Sequence, residues 1–334
     1  MTAVRDWNSV REFLADKKRL LVTTHANPDG DAIGSQMAMA HYLRRLKKEV
    51  YLLSSDPTPK FFHFLDPKAE ITLYDAGAHL SLVQSLDGGI VVDISDWTRL
   101  RGVGEAIRKF SLPIACIDHH IPTDEMGVVQ ISDQSASSTG EMLYDFLVDS
   151  KAEMTPAIIE ALYTCILTDT GSFRFSNTTA LTHRIVADLL ERGVDFRKIY
   201  EHVYESYSKS RSLLMGHVLA EMQFECEDRL AWFVLSQDLL RKTNAKMWEA
   251  EGFSELPRSI EGVEISMVFT ESEDGKTKVS FRSKGHIAIN GLANKFGGGG
   301  HKFASGATTA LPLAEAIPLV VEEAKKLFTP LNKE

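Results

Sequence analysis

The segment His25-Ala26-Asn27-Pro28-Asp29-Gly30-Asp31-Ala32-Ile33-Gly34-Ser35 places one imidazole and two carboxylates within seven positions. Hard and borderline divalent ions take that mixture of nitrogen and oxygen donors, and two such ions can share the work of phosphoryl transfer. For this loop alone a structural reading stays open, in which Asp29-Gly30 bends the chain and Asp31 caps the following helix. Three further segments tilt the balance. Ile90-Val91-Val92 runs into Asp93-Ile94-Ser95-Asp96-Trp97-Thr98-Arg99, and Ile114-Ala115-Cys116-Ile117 runs into Asp118-His119-His120. A helical pattern from Pro156, with Ile159, Leu162, Ile166 and Leu167, runs into Asp169-Thr170-Gly171-Ser172-Phe173-Arg174. Four clusters of Asp and His at the ends of apolar elements point to a dinuclear metal centre.

The elements that position them follow from periodicity. Leu20-Leu21-Val22 is a short apolar run, and Ile33, Met37, Ala40, Leu43 and Leu46 mark one face of a helix after the loop. Apolar runs and helical patterns alternate up to about residue 200, which predicts βα units around a mainly parallel sheet. The runs before residues 25, 93 and 118 then end on one rim, where open α/β sheets bind ligands. Thr178 to Arg192 is predicted helical, with Leu181, Ile185, Leu189 and Leu190 facing in and Gly193 stopping it. Phe196 to about Met222 continues as helix, expected to bridge two domains and to act as a hinge. Leu230–Leu235, Val263–Phe269 and Lys278–Phe281 have strand character, with a hairpin turn at Glu273-Asp274-Gly275-Lys276. The fold class is α/β: a mainly parallel-sheet domain at 1–200, a helical linker at 201–224 and a smaller α+β domain at 225–334.

Composition bounds the rest. The chain has 334 residues, 25% charged and 44% hydrophobic, enough for two cores and typical of a folded soluble protein. No stretch approaches the roughly 20 apolar residues that span a bilayer. The start, Met1-Thr2-Ala3-Val4-Arg5-Asp6-Trp7, lacks the apolar region of a secretory leader. Cys116, Cys165 and Cys226 are odd in number and lie among apolar residues, which fits buried free thiols and a cytoplasmic location. The net charge of −9 argues against a coat for long nucleic acid and favours a small phosphorylated substrate.

The ordered set His25-x-x-x-Asp29-x-Asp31, Asp93, Asp118-His119-His120 and Asp169 resembles the DHH phosphoesterase superfamily. Gly297-Gly298-Gly299-Gly300-His301-Lys302-Phe303-Ala304-Ser305-Gly306, with Ser280-Phe281-Arg282-Ser283 upstream, is similar to its DHHA1 domain. Within the superfamily, the compact layout resembles the branch of oligoribonucleases (nanoRNases) and 3′-phosphoadenosine-5′-phosphate phosphatases. The resemblance implies a first ion on His25, Asp29 and Asp93, and a second on Asp31, Asp93, His119 and Asp169, with Asp93 bridging. Ions roughly 3.5–4 Å apart suit in-line attack of water on phosphorus. Histidine among the ligands favours Mn2+, with Mg2+, Co2+ or Zn2+ as alternatives. It further implies that His120 faces substrate and that Asp118 orients an imidazole. Arg99 is placed to bind a phosphate, while Arg174 is as consistent with packing as with binding. At the other end of the substrate, Gly298, Gly299 and Gly300 would offer backbone N–H groups, beside Arg282, His301 and Ser305. A site that grips one terminus favours short substrates.

Expected partners are therefore short RNA oligonucleotides or phosphorylated nucleotides, with no membrane and no long nucleic acid; the resemblance also suggests a homodimer. Single-strand DNA exonucleases of the superfamily carry an added nucleic-acid domain, and pyrophosphatases use a C-terminal Arg/Lys cluster where this chain has glycines. Hydrolysis of cyclic or linear dinucleotides (c-di-AMP, pApA) is the nearest rival. A retired nucleotide-binding module is the non-enzymatic one, and it would have lost a ligand that this chain retains.

Overall fold

The computed structural model describes residues 5–250 and 252–328. Residues 1–4, within the start expected to lack a leader, and 329–334 of the expected second domain lie outside them. The chain forms two compact units, Met1–Ser206 and Tyr207–Glu334. The first holds helices α1 (Trp7–Ala15), α2 (Gly30–Arg45), α3 (Ala76–Gln84), α4 (Arg101–Lys109), α5 (Thr139–Asp149), α6 (Pro156–Asp169), α7 (Ala180–Glu191) and α8 (Phe196–Tyr204).

Its six strands are β1 (Arg19–Thr23), β2 (Glu49–Ser54), β3 (Ile71–Leu73), β4 (Gly88–Val92), β5 (Ile114–Asp118) and β6 (Val129–Ser132), in the order β3-β2-β1-β4-β5-β6. Every pairing is parallel, as the apolar runs predicted. Side chains alternate across the sheet with the two-residue period of a strand. Leu20, Val22, Ile90, Val92, Ala115 and Ile117 join a core with α1, α2, α5, α6, α7 and α8. Leu21, Val91, Ile114 and Cys116 face the other way, onto α3 and α4. The strand order progresses outward in one direction from β1 and in the other from β4, and the helices following these two neighbours, α2 and α4, pack on opposite faces. A switch point of this kind is where open α/β sheets bind ligands.

Helix α2 departs from a simple amphipathic pattern, since nearly all of it is buried. Small residues on its second face admit α6: a Cβ at Gly34 would lie 2.4 Å from Cys165 Sγ and 2.7 Å from the Ala161 carbonyl. Leu46, expected to face in, falls just beyond the helix and is 47% exposed. Leu190 of α7 is also exposed, at 41%, because the core reaches only the Leu189 side.

The stretch read as one helix from Phe196 onward is two. After α8, Ser208 accepts from Arg211 N and starts α9 (Lys209–Ala220), which packs within the second unit through Leu214 and Val218. That unit also has α10 (Gln237–Thr243), α11 (Asn290–Lys295) and α12 (Leu313–Lys325). Its sheet orders β7 (Gln223–Glu225), β8 (Leu230–Leu235), β9 (Ile265–Glu271), β10 (Thr277–Ser283), β11 (Gly299–His301) and β12 (Ala304–Thr309) as β11-β12-β10-β9-β8-β7. Only β8 and β9 pair in parallel, so the sheet is mixed. The predicted turn joins β9 to β10, with Gly275 at φ 78°. Cys116 and Cys165 are buried free thiols, whereas Cys226 is only partly covered, at a turn before β8. Among the described residues no helix is long and apolar enough to cross a membrane.

Gly34→Ala is expected to force α2 and α6 apart and to destabilise the first unit by about 1–3 kcal/mol, read as a lowered Tm in thermal unfolding.

Candidate metal centre

Each cluster sits where an element ends. Leaving β1, the chain turns through Ala26 and Asn27, the latter at φ 53°, and re-enters helix at Gly30. Asp29, and not Asp31, is the cap of α2: its Oδ1 accepts from Ala32 N at 3.0 Å. Asp31 is buried at the first turn and looks elsewhere. Thr139 N donates to its Oδ2 at 2.7 Å and Gly140 N to its Oδ1 at 2.9 Å. The first amides of α5, which have no partner inside their own helix, thus hold a carboxylate.

Asp93 leaves β4 at φ 63°, a left-handed conformation uncommon outside glycine, and its N–H donates to Ile117 O on β5 at 2.9 Å. Strain of this kind persists where surrounding bonds over-determine it. Its two carboxylate oxygens face different histidines. Oδ2 is 3.4 Å from His25 Nε2, and Oδ1 is 3.7 Å from His119 Nε2 and 3.6 Å from His120 Nδ1. Asp29 Oδ1 completes the first group at 3.9 Å from His25 Nε2. Asp31 and Asp169 complete the second, with Oδ2 atoms 3.7 and 3.6 Å from His119 Nε2. His25, Asp29 and Asp93 therefore form one ligand-sized group, Asp31, His119 and Asp169 another, and Asp93, His119 and His120 a third that overlaps both.

The donor set fits divalent metal. His119 Nε2 is buried without a hydrogen-bond partner, although three carboxylate oxygens stand around it at 3.6–3.7 Å. Two donors that share an ion at roughly 2.0–2.2 Å lie about 3–3.7 Å apart, so this spacing suits an ion better than a direct bond. Charge says the same. Burial and the neighbouring Asp31, Asp29, Asp169 and Asp118 push the Asp93 carboxyl well up, and burial with Asp31 and Asp29 pushes Asp169 to about 8. Burial lowers the pKa of His25 and favours its neutral, ligating form.

Around these groups stand side chains the sequence did not flag. Thr139 Oγ1 donates to Asp93 Oδ1 at 2.9 Å. Asn177 Nδ2 ties the Asp169 carbonyl at 3.1 Å to the Ser137 carbonyl at 2.8 Å. Ser95 donates to Asp118 Oδ2. A signal existed for Thr139 alone: Ser138-Thr139-Gly140-Glu141 is an N-terminal helix pattern.

His120 is half exposed, with Nδ1 2.7 Å from Asp118 Oδ1. Hydrogen bonding to Asp118 raises the His120 pKa; despite burial, bonds from His120 and Ser95 hold Asp118 below the usual carboxylate range. Arg99 is exposed and meets the site through His25. Its Nη2 lies 2.9 Å from His25 Nδ1, on the far side of the ring from Asp93.

In the second unit, Arg282 on β10 and His301 on β11 both pair with Ala304 on β12. Residues directly opposite in antiparallel strands share a face, so the two side chains stand in one row. Ser305 belongs to the other face, opposite buried Phe281, and its Oγ donates to Ile289 O at 3.3 Å. Not all four glycine amides are free, as the glycine run suggested: Gly297 and Gly298 donate to Asn294 and Ala293 at the end of α11. A Cβ at Gly298 would lie 2.0 Å from the Gly306 carbonyl, so this glycine serves close packing on β12. Gly299 and Gly300 are strand residues of β11.

Acids and imidazoles gathered on the carboxyl rim of a doubly wound sheet are the donor set of a metal-dependent hydrolase. Comparison with known proteins agrees. Residues 19–168 match the DHH family N-terminal domain, and 233–329 match the DHHA1 domain. The bifunctional oligoribonuclease and PAP phosphatase NrnA of Thermus thermophilus is 34% identical over 312 residues, covering 93% of this chain and 90% of that one. The protein of the same name from Bacillus subtilis is 28% identical, covering 86% and 88%. The crystal structure of an exopolyphosphatase-related protein from Bacteroides fragilis matches with a TM-score of 0.92 and 29% identity over 100% of both chains. This chain belongs to the DHH family of phosphoesterases and carries its DHHA1 domain.

Stripped of metal, the site should make stability fall as pH rises. The Asp169 carboxyl ionises near 3.8 when unfolded and at about 8 when folded. Its protonated form costs nothing below the lower value, and the cost of ionising it accumulates up to the higher one. The Tm of chelator-treated protein, measured between about pH 5 and 9, should drop more steeply in wild type than in Asp169→Asn, and added divalent ion should remove the difference.

Proposed function

We propose that this protein is a two-metal phosphoesterase that hydrolyses short oligoribonucleotides to 5′-mononucleotides, as a phosphodiesterase, and 3′-phosphoadenosine-5′-phosphate to AMP, as a phosphatase. The observation that carries this reading is the divided carboxylate of Asp93, with one oxygen toward His25 and the other toward His119. It supports one ion on His25, Asp29 and Asp93 and a second on Asp31, Asp93, His119 and Asp169, with Mn2+ best suited to the mixed donors. Such ions, when bound, acidify water and neutralise phosphoryl oxygens. The chain's own residues do the rest. Asp118 holds His120 by Nδ1, which leaves Nε2 to donate to the leaving oxygen or to a phosphoryl oxygen. Arg282 and His301, standing on one sheet face, are the proposed phosphate-binding pair of the second unit. The relatives that span most of the chain bear both activities in their names. Buried free thiols at Cys116 and Cys165 support a reducing, cytoplasmic setting.

The test is purified protein with Mn2+ and a 5′-phosphorylated five-nucleotide RNA, followed by mass spectrometry. Stepwise release of 5′-mononucleotides, abolished in Asp93→Asn, is the expected result. An untouched RNA overturns it and redirects the site to cyclic dinucleotides or pyrophosphate. His120→Ala should lose about 10²–10⁴-fold in kcat while metal uptake stays at the wild-type level. Arg282→Ala should raise KM at little cost to kcat, and dinucleotides should be cleaved faster than a thirty-nucleotide RNA.

A further inference from the structure

Asp93 has the most demanding task in the proposed site, because its two oxygens must face two different groups at once. Its backbone is fixed by the left-handed conformation and by the bond to Ile117 O. The carboxylate itself is not fixed by those constraints, since the terminal torsion of an aspartate is broad. Only a directional partner can hold its rotation. Among the described residues, the hydrogen bond to this carboxylate comes from Thr139 Oγ1 at 2.9 Å.

Thr139 is well placed for that role. It is the first residue of α5, behind the Ser138 cap, and its own N–H donates to Asp31 Oδ2 at 2.7 Å. A β-branched side chain has few accessible rotamers, so the backbone bond also aims the hydroxyl. The residue is 0% exposed, which leaves no bulk water to replace the hydroxyl. One residue thus ties the carboxylate assigned to a single ion, Asp31, to the one shared by both.

We infer that Thr139 is the positioning residue that sets the rotation of the Asp93 carboxylate and so allows both halves of the metal centre to fill together. The inference rests on the two-metal reading. The donated hydroxyl occupies one lone pair of Oδ1 and leaves the other directed at His119 and its neighbours. Without it the carboxylate turns, and one half of the centre loses a ligand.

Metal-free protein is titrated with Mn2+ and followed by calorimetry and electron paramagnetic resonance. Wild type should take up a pair of ions with the signature of exchange coupling. Thr139→Val keeps the shape but not the hydroxyl; it should bind about 10–100-fold more weakly and show an uncoupled mononuclear signal. Thr139→Ser, which retains the hydroxyl, should restore affinity and coupling. Circular dichroism of the metal-free variants checks the fold. If Thr139→Val does not fold, Thr139→Ala against Thr139→Ser provides the same contrast. A valine or alanine variant that binds a coupled pair as tightly as wild type overturns the role of Thr139 and leaves the metal centre standing. A wild type that never takes up a pair overturns the two-metal reading, and this inference with it.

Discussion

The first unit is organised around a cost: Asp31, Asp93 and Asp169 converge on one imidazole, and Asp31 and Asp93 are almost wholly removed from water. Like charges in a poorly solvated place repel, and the carboxyls of Asp93 and Asp169 are pushed toward their protonated forms. The surroundings lower that cost in two ways. Fixed dipoles do part of the work, as the first amides of α5 point at Asp31 and Asn177 holds the end of α6 against Ser137. The rest falls to positive charge, and the unpartnered Nε2 of His119 among three carboxylates marks where that charge belongs.

That arrangement requires a rigid frame. Adjacent parallel strands β1, β4 and β5 deliver His25, Asp93 and Asp118 to a single rim. β1 and β4 are neighbours whose following helices, α2 and α4, pack on opposite faces of the sheet, and the loop after β1 meets the segment after β4 at the rim, where Ala26 N donates to Arg99 O at 2.8 Å. Close packing of α2 on α6, which the glycine at 34 permits, brings Asp31 in the first turn of α2 and Asp169 at the last residue of α6 to the same end of the helix pair. A site on strand ends and helix termini keeps its geometry better than one carried on long loops.

The second unit is built by different means. Its mixed sheet aligns Arg282, Ala304 and His301 in one row and turns Ser305 into the core. Part of the glycine run closes α11 and lets β11 lie on β12, so glycine there is a matter of packing.

What the sequence by itself determined is the inventory and the rim. A run of apolar residues ending in a carboxylate or imidazole is a local pattern, and parallel strands must end on the same side, so the convergence of residues 25, 93 and 118 could be read directly. Strand and helix types followed from periodicity for the same reason, although the short edge strands β3 and β6 carry too few residues to show one. Tertiary structure decided the partners. Asp29 rather than Asp31 caps α2 because the amides of α5, 108 positions away in sequence, claim Asp31. Arg99 turned behind His25, Phe196 to Met222 broke at a serine cap, and Thr139 and Asn177 took up positions beside the carboxylates. Such bonds join residues distant along the chain, and their directions exist only after the helices have packed; no local pattern of residue types can encode them.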